Sequence, residues 1–339
     1  MRKKIAVITS GGDAPGMNAC VRAIVLAANR YGHQVIGFKH GYNGLIENEY
    51  KELTVESVQH IIKLGGTILK SARCEPFTTD KGLTTAVNNL SRNEIDAFIV
   101  IGGDGSLRGL DRLSKHWDGQ VIGVPGTIDN DLSGTDNTIG YQTAIDTALD
   151  SIDKLRDTAD AFERIFLVEV MGRYAGFIAL ASAVASGAEQ ALFPESIEDP
   201  HLELESIVQH VECLRKVKGK SSIIMVIAEH LWPGGVTDLA ETLTKQIGIE
   251  CRPCILGHIQ RGGAPVAYDR ILATKLGTYA VEIINEGQSG VMVGEINNRQ
   301  CAHKLNYVYS EQKALDPYLV KIQQNIFDVV QCLNQTKTL

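Results

Sequence analysis

The chain has 339 residues, 44% hydrophobic and 22% charged, a balance that suits a compact folded protein and a length beyond what one hydrophobic core organises, so two lobes are expected. Its formal charge of −7, from 40 acidic and 33 basic residues without long runs of one sign, argues against a surface built for nucleic acid or an anionic membrane. No apolar stretch approaches the ~20 residues that cross a bilayer, and seven scattered cysteines, an odd number, suit reduced thiols in a cytoplasmic protein.

The opening MRKKIAVITSGGD has the charged end of an export signal, but its apolar run stops at Ile8 before glycines break it, so it reads as a first strand over 5–9. Further Val- and Ile-rich runs follow at 97–101, 121–124, 165–170 and 223–228, with a weaker one at 35–38, the pattern of buried parallel strands. Between them, apolar spacing near 3.6 predicts helices over 18–31, 106–116, 141–158, 202–217 and 237–248. Strand alternating with helix gives an α/β fold with mainly parallel sheets. No repeat or low-complexity linker marks the lobe boundary, and crossovers near Tyr141 and Arg252 are expected.

The glycine-rich and polar clusters fall just after strands, where open α/β sheets bind ligands and helix N-termini direct N–H groups at anions. The segment 10–18, with Gly11, Gly12 and Gly16 around Asp13, reads equally as a phosphate cradle or a tight strand-to-helix turn. It is not a P-loop: the only GK[ST] string, 219–221, has Leu214 where the first glycine belongs. GGDGS at 102–106, followed by Gly109, allows close approach of a nucleotide and offers Asp104 to magnesium, although such a turn with a capping Asp is also common. Gly103, Gly105 and Gly109 miss the GxGxxG spacing of a dinucleotide site.

PGTIDND at 125–131 is the most informative segment. Asp129 and Asp131 stand two residues apart beside Thr127, and like charges so close repel unless an ion or substrate uses them. The arrangement suits phosphoryl transfer, one carboxylate taking the proton of the attacking hydroxyl and the other helping to hold magnesium. A surface Asp-Asn turn is the plain alternative. Downstream, GHIQRGG at 257–263 joins His258 to Arg261, and Arg164, Arg173 and Arg252 lie near other strand ends; arginine forks suit phosphate. Cys251, Cys254 and His258 lack the second ligand pair that a zinc site needs.

In order, SGGDAPGMN, SAR at 71–73, GGDGS, PGTIDND, EVMGRYAG, AEH at 228–230 and LGHIQRGG resemble the bacterial ATP-dependent 6-phosphofructokinase family, from about residue 3 to about residue 287. The resemblance implies two Rossmann-like lobes, an ATP-binding one from 1–140 and about 253–304, and a fructose 6-phosphate-binding one from about 141–252 and 305–339. It implies that Gly12, Tyr42, Arg73, Cys74, Gly103, Gly105, Ser106 and Gly109 line the ATP site, with Asp104 on Mg2+. Thr127, Ile128, Asp129 and Asp131 would face the reacting 1-hydroxyl, with Asp129 as general base, while Met171, Gly172, Arg173 and Glu229 meet the sugar. Arg164, Arg252, His258 and Arg261, with Ile259 and Gln260 between the last two, would hold the 6-phosphate.

In this family the residues matching Arg164 and Arg252 reach in from a neighbouring subunit, which implies a homotetramer with shared active sites. Its effector pocket, for ADP or phosphoenolpyruvate, is matched by Arg22, Arg156, Gly187, Ala188, Glu189, Lys218, Lys220, Ser221 and Ser222. Leu26 stands where the family has a second arginine, so a blunted effector response is expected. Pyrophosphate-using relatives carry Asp and Lys where this chain has Gly105 and Gly126, which favours ATP. A noncatalytic nucleotide-binding regulator would be free to lose Asp129, Asp104 or Arg73, and all three remain; lipid and dinucleotide kinases share the GGDG turn but lack PGTIDND and GHIQRGG. The tail after Gly287 matches poorly and has no assigned task.

Overall fold

The computed structural model describes residues 2–197, 200–216 and 222–326. The chain forms two compact units, the first from residues 1–143 and 261–313, the second from 144–260 and 314–339. The chain returns to the first unit after Gln260, and the strand that contains Arg252 pairs within the second.

In the first unit the described strands are β1 (Lys4–Ser10), β2 (Gln34–Phe38), β3 (Tyr50–Glu52), β4 (Ala97–Gly102) and β5 (Gln120–Pro125). The second unit contributes β6 (Ile165–Val170), β7 (Gln190–Leu192), β8 (Ile223–Ala228) and β9 (Cys251–Ile255), and the chain then returns to the first with β10 (Val291–Ile296) and β11 (Arg299–Lys304). Seven strands make one sheet in the order β11-β10-β5-β4-β1-β2-β3, parallel from β10 to β2 with an antiparallel strand at each edge. The other four make a parallel sheet ordered β7-β8-β6-β9.

The helices are α1 (Met17–Arg30), α2 (Tyr42–Glu47), α3 (Asp80–Arg92), α4 (Asp104–Ser114), α5 (Tyr141–Phe162), α6 (Phe177–Ser186), α7 (Pro200–Lys216), α8 (Gly235–Ile247), α9 (Ala267–Asn285), α10 (Leu305–Ser310) and α11 (Pro317–Ile326). Parallel strands covered on both faces need apolar residues at every position, and β4 and residues Ile5–Ile8 of β1 comply. Ala6, Ile8, Phe98 and Val100 pack with Leu83 and Leu90 of α3 and with Leu107 and Leu110 of α4. The alternating Ile5, Val7, Ile99 and Ile101 are equally inaccessible on the other face. The second unit repeats the scheme, with Ile165, Leu167, Met225 and Ile227 against Ile207 and Val211 of α7 and Leu239 and Leu243 of α8.

Strand order fixes where ligands can enter. In the first sheet the order reverses between β1 and β4, and in the second between β6 and β9. Crevices outside the carboxyl ends of strands at such reversals are the binding positions of open α/β sheets. Among the described residues Cys20, Cys74, Cys251, Cys254 and Cys301 are free thiols.

Candidate functional site

At the reversal in the first unit, Ser10 and Gly102 are register partners at the ends of β1 and β4. The turn after β4 opens α4 at Asp104, and Ser106 Oγ lies 3.0 Å from Ser10 Oγ, tying the two glycine-rich turns together. Ser71 Oγ donates to Gly11 O at 2.5 Å and Asn43 Nδ2 to Arg73 O at 3.2 Å, which brings the 71–73 segment against the first turn with the Arg73 side chain exposed. Tyr42, at the start of α2, donates to Ser106 O at 2.8 Å and stacks on Phe77 with ring centroids 3.9 Å apart. Burial holds the Tyr42 phenol protonated well beyond its usual range. Cys74 packs beside these rings, its thiol also pushed up by burial, and Gly109 faces them closely: a Cβ would lie 3.1 Å from Phe77. Gly12, Tyr42, Arg73, Cys74, Gly103, Asp104, Gly105, Ser106 and Gly109 therefore gather around one reversal.

Gly105 and Gly126 differ in environment. A Cβ on Gly105 meets nothing within 4 Å, so the absent side chain leaves open space at the first turn of α4. A Cβ on Gly126 would lie 2.8 Å from Ile101 Cγ2 and 3.2 Å from Met17 Cε, inside the core. Asp104 accepts from Arg108 Nε at 2.8 Å, one turn along α4. Among the described residues no three His, Cys, Asp or Glu side chains converge as a metal cage. A lone carboxylate beside a glycine-rich turn fits Mg2+, which keeps waters and substrate phosphates as most of its ligands.

The loop after β5 carries Asp129, 6% exposed, and Thr127, equally buried. Its two arms are joined by an isolated bridge between Gly126 and Ile139 and by Thr138 Oγ1 donating to Thr127 O at 2.6 Å, and within the first arm the Asp129 N–H donates to Thr127 Oγ1 at 3.2 Å. Ile128 is fully buried. Arg261 donates to Asp13 O at 3.1 Å and sits against Gly12, where a Cβ would come within 2.5 Å of Nη1. Its Nη2 stands 3.9 Å from Asp129 Oδ1. Arg261, expected at the 6-phosphate, thus also adjoins Asp129 and the first glycine turn.

At the reversal in the second unit, Met171 N–H donates to Gln260 Oε1 at 2.8 Å, joining the turns after β6 and β9. Glu229, after β8, accepts from the N–H groups of Gly172 at 3.2 Å and Arg173 at 2.8 Å, which fixes Arg173 in a left-handed conformation with φ 61°. Behind it, burial and the neighbouring Glu229 charge push the Glu169 carboxyl up. His258 and Ile259 follow β9 on an exposed 3-10 turn. Met171, Gly172, Arg173, Glu229 and Gln260 thus converge, and the turn carrying His258 and Ile259 leads into Gln260.

Arg164 and Arg252 do not join them. Arg164 immediately precedes β6 and Arg252 pairs with Phe166 near the start of β9, so both lie at the opposite end of strands about 20 Å long. There they share Glu250: Arg164 Nε donates at 2.8 Å and Arg252 Nη2 forms a second ion pair with it, while Arg164 also covers the Phe162 ring. No sequence signal singled out Glu250.

Of the effector candidates, Arg156 Nη1 contacts Glu189 Oε2 at 2.9 Å and Nη2 donates to Gly187 O at 3.4 Å. Glu189 is buried and also accepts from the Ile224 N–H at 2.7 Å. Ala188 is buried, and Ser222 pairs with Asp160. Arg22 and Leu26 sit one turn apart on α1, both half-buried. Lys218, Lys220 and Ser221 lie outside the described residues.

A family model described as Phosphofructokinase matches residues 4–284. The chain is 46% identical over 322 residues to ATP-dependent 6-phosphofructokinase 1 of Thermus thermophilus, covering 95% of this chain and 98% of that one. It is 52% identical over 294 residues to ATP-dependent 6-phosphofructokinase 2 of Bacteroides thetaiotaomicron, covering 86% and 88%. Among solved structures, phosphofructokinase from Saccharomyces cerevisiae superposes with a TM-score of 0.86 at 34% identity over 98% of this chain, which spans 49% of that longer one. A pyrophosphate-dependent phosphofructokinase from Marinobacter aquaeolei, with a TM-score of 0.82 at 20% identity over 96% of this chain and 91% of that one, shares the fold.

Proposed function

We propose, because this chain belongs to the phosphofructokinase family, that Asp129 is the general base of its ATP-dependent 6-phosphofructokinase reaction. That reaction moves the γ-phosphoryl of ATP to the 1-hydroxyl of fructose 6-phosphate, giving fructose 1,6-bisphosphate and ADP. The observation that carries the assignment of Asp129 is its setting: a nearly inaccessible carboxylate on a cross-braced loop, with an arginine 3.9 Å away. Such a group is costly to bury unless a ligand or partner uses its charge.

In this reading Asp129 takes the proton of the 1-hydroxyl as its oxygen attacks the γ-phosphorus in line. Arg73 and N–H groups of the turns at Gly12 and Gly103–Ser106 offset charge on the phosphates. Mg2+, held by Asp104 directly or through water and assisted by Asp131, would supply charge neutralisation on the phosphate oxygens. Glu229 and Met171–Arg173 orient the sugar, and His258 and Arg261 hold its 6-phosphate. Arg164 and Arg252, at the far end of their sheet from these residues, would serve a neighbouring copy in a homotetramer.

Open space at Gly105 accommodates a nucleotide beyond its β-phosphate, which supports ATP over pyrophosphate as donor. The assay is phosphorylation of fructose 6-phosphate with either donor, followed by addition of phosphoenolpyruvate. The expected result is faster turnover with ATP and, with Leu26 in place of an arginine, little sigmoidal shift from phosphoenolpyruvate. Faster pyrophosphate-driven turnover would overturn the donor assignment. A cytoplasmic location fits a glycolytic reaction of this kind, and none of the described helices is long and apolar enough to cross a membrane.

A further inference from the structure

Asn130, between the two carboxylates of the 125–131 loop, has φ 55°, a left-handed conformation that non-glycine residues adopt sparingly. Its side chain is held on both ends. Oδ1 accepts from the Thr138 N–H at 3.0 Å and from Lys313 Nζ at 2.8 Å, and Nδ2 donates to Asp136 O at 3.3 Å. Two donors at Oδ1 leave no ambiguity about which way the amide faces. Lys313 Nζ also donates to Asp136 O at 2.8 Å, closing a ring of Asn130, Asp136 and Lys313.

The segment that delivers Lys313 is itself fastened to this loop. Ser133 N–H donates to Val308 O at 3.3 Å and Ser133 Oγ to Glu311 O at 2.9 Å. Asp136 is anchored on its other side, its N–H donating to Glu295 O at 2.8 Å and its Oδ2 accepting from the Asn297 N–H at 2.7 Å. The ammonium is therefore a crosslink from a late strap of chain to both arms of the loop, 183 residues from Asn130 in sequence.

We propose that Lys313 is a positioning residue for phosphoryl transfer, fixing the left-handed Asn130 and through it the direction of the Asp129 carboxylate. The inference rests on the assignment of Asp129 as general base. An alkyl chain at this position would leave Asn130 Oδ1 and Asp136 O each short of a donor, and the turn would relax away from its strained conformation. Burial pushes the Lys313 amine down to about 8 against the opposing pull of Asp136 and Asp131, so at neutral pH it remains mostly an ammonium with three donors. A misplacement of the base by about 1 Å is enough to cost ~10²-fold in rate.

The test compares Lys313→Met, Lys313→Arg and Asn130→Gly with the wild type, which must itself phosphorylate fructose 6-phosphate; an inactive wild type would defeat the functional reading separately. Lys313→Met is expected to lower kcat by about 10- to 100-fold, with KM for ATP and fructose 6-phosphate within about twofold, while Lys313→Arg restores most of the loss. Asn130→Gly, which keeps access to the left-handed turn without the amide, is expected to lose a similar amount, and the double variant Asn130→Gly/Lys313→Met no more than either single one. Unchanged kcat in Lys313→Met, equal failure of Lys313→Arg, or multiplicative losses in the double variant would each overturn the proposal. If Lys313→Met does not fold, Asn130→Gly decides: an unchanged kcat there overturns it, and a kcat loss at constant KM upholds it.

Discussion

The Arg261 guanidinium stands 3.9 Å from Asp129 Oδ1, joining the turn at Gly12 to the loop after β5. Asp129→Asn keeps the shape of the side chain and the N–H bond to Thr127 Oγ1, so the loop should survive. Expected is a fall in kcat of about 10²- to 10⁴-fold, with KM for fructose 6-phosphate nearly unchanged and a melting temperature within a few degrees of wild type. Near-normal turnover would remove Asp129 from the role of base.

Gly105 and Gly126 give a matched pair of substitutions. Gly105→Asp adds a side chain to open space and should fold normally while raising the KM for ATP more than about tenfold, through like-charge repulsion of the phosphates. Gly126→Asp drives a Cβ against Ile101 and Met17 and should destabilise the fold by about 1–3 kcal/mol or more. Calorimetry and nucleotide titration on both variants separate the two effects, and equal melting temperatures would contradict the packing seen around Gly126.

If Arg252 serves a neighbouring copy, two inactive variants should complement each other. Mixing Arg252→Ala chains with Asp129→Asn chains, then dissociating and reassembling them, pairs an intact base with an intact arginine at roughly a quarter of sites, as random assembly of a symmetric oligomer requires. Assay of the reassembled mixture should recover activity that neither parent has. Activity no greater than the parents' would place Arg252 outside the shared site.

Glu169 supplies a pH dependence. Its carboxyl is pushed above the usual range, first by burial and then by Glu229, so the folded state holds this proton more tightly than the unfolded chain. Stability from this group is full below the unfolded carboxyl range and falls as pH rises through the raised folded value. Melting temperatures of Glu169→Gln relative to wild type should therefore climb as pH rises from about 4 to 7. A flat difference would show that burial does not disfavour the Glu169 charge.

Legibility followed burial. The apolar runs of β1, β4, β5, β6 and β8 announce themselves because covered parallel strands need hydrophobic residues at every position. β9 escaped notice because Arg252 and Pro253 interrupt it at the sheet edge, and β11 because no residue of its RQCAHK sequence is fully buried. α9 is buried over much of its circumference, through Leu272, Ala273, Leu276, Ala280 and Val281, which weakens the one-sided pattern by which helices are read. At the site, the paired carboxylates and glycine turns carried local signals of their chemistry. Glu250 and Lys313 carried none, since their partners are set by strand register and by a strap arriving from a distant part of the chain.

Asp269, wholly buried in α9, accepts from the Gly140 N–H at 2.9 Å, the Thr143 N–H at 2.8 Å and Thr143 Oγ1 at 2.5 Å. The start of α5 is thus completed by a residue 126 positions later, and α1 likewise waits for α9. During synthesis the central strands of the first unit emerge early, yet their helix partner and the β10–β11 edge arrive only after the whole 144–260 segment. Until then its nascent core stays partly uncovered, so a ribosome stalled before residue 285 would present apolar surface to chaperones and to its neighbours on the polysome.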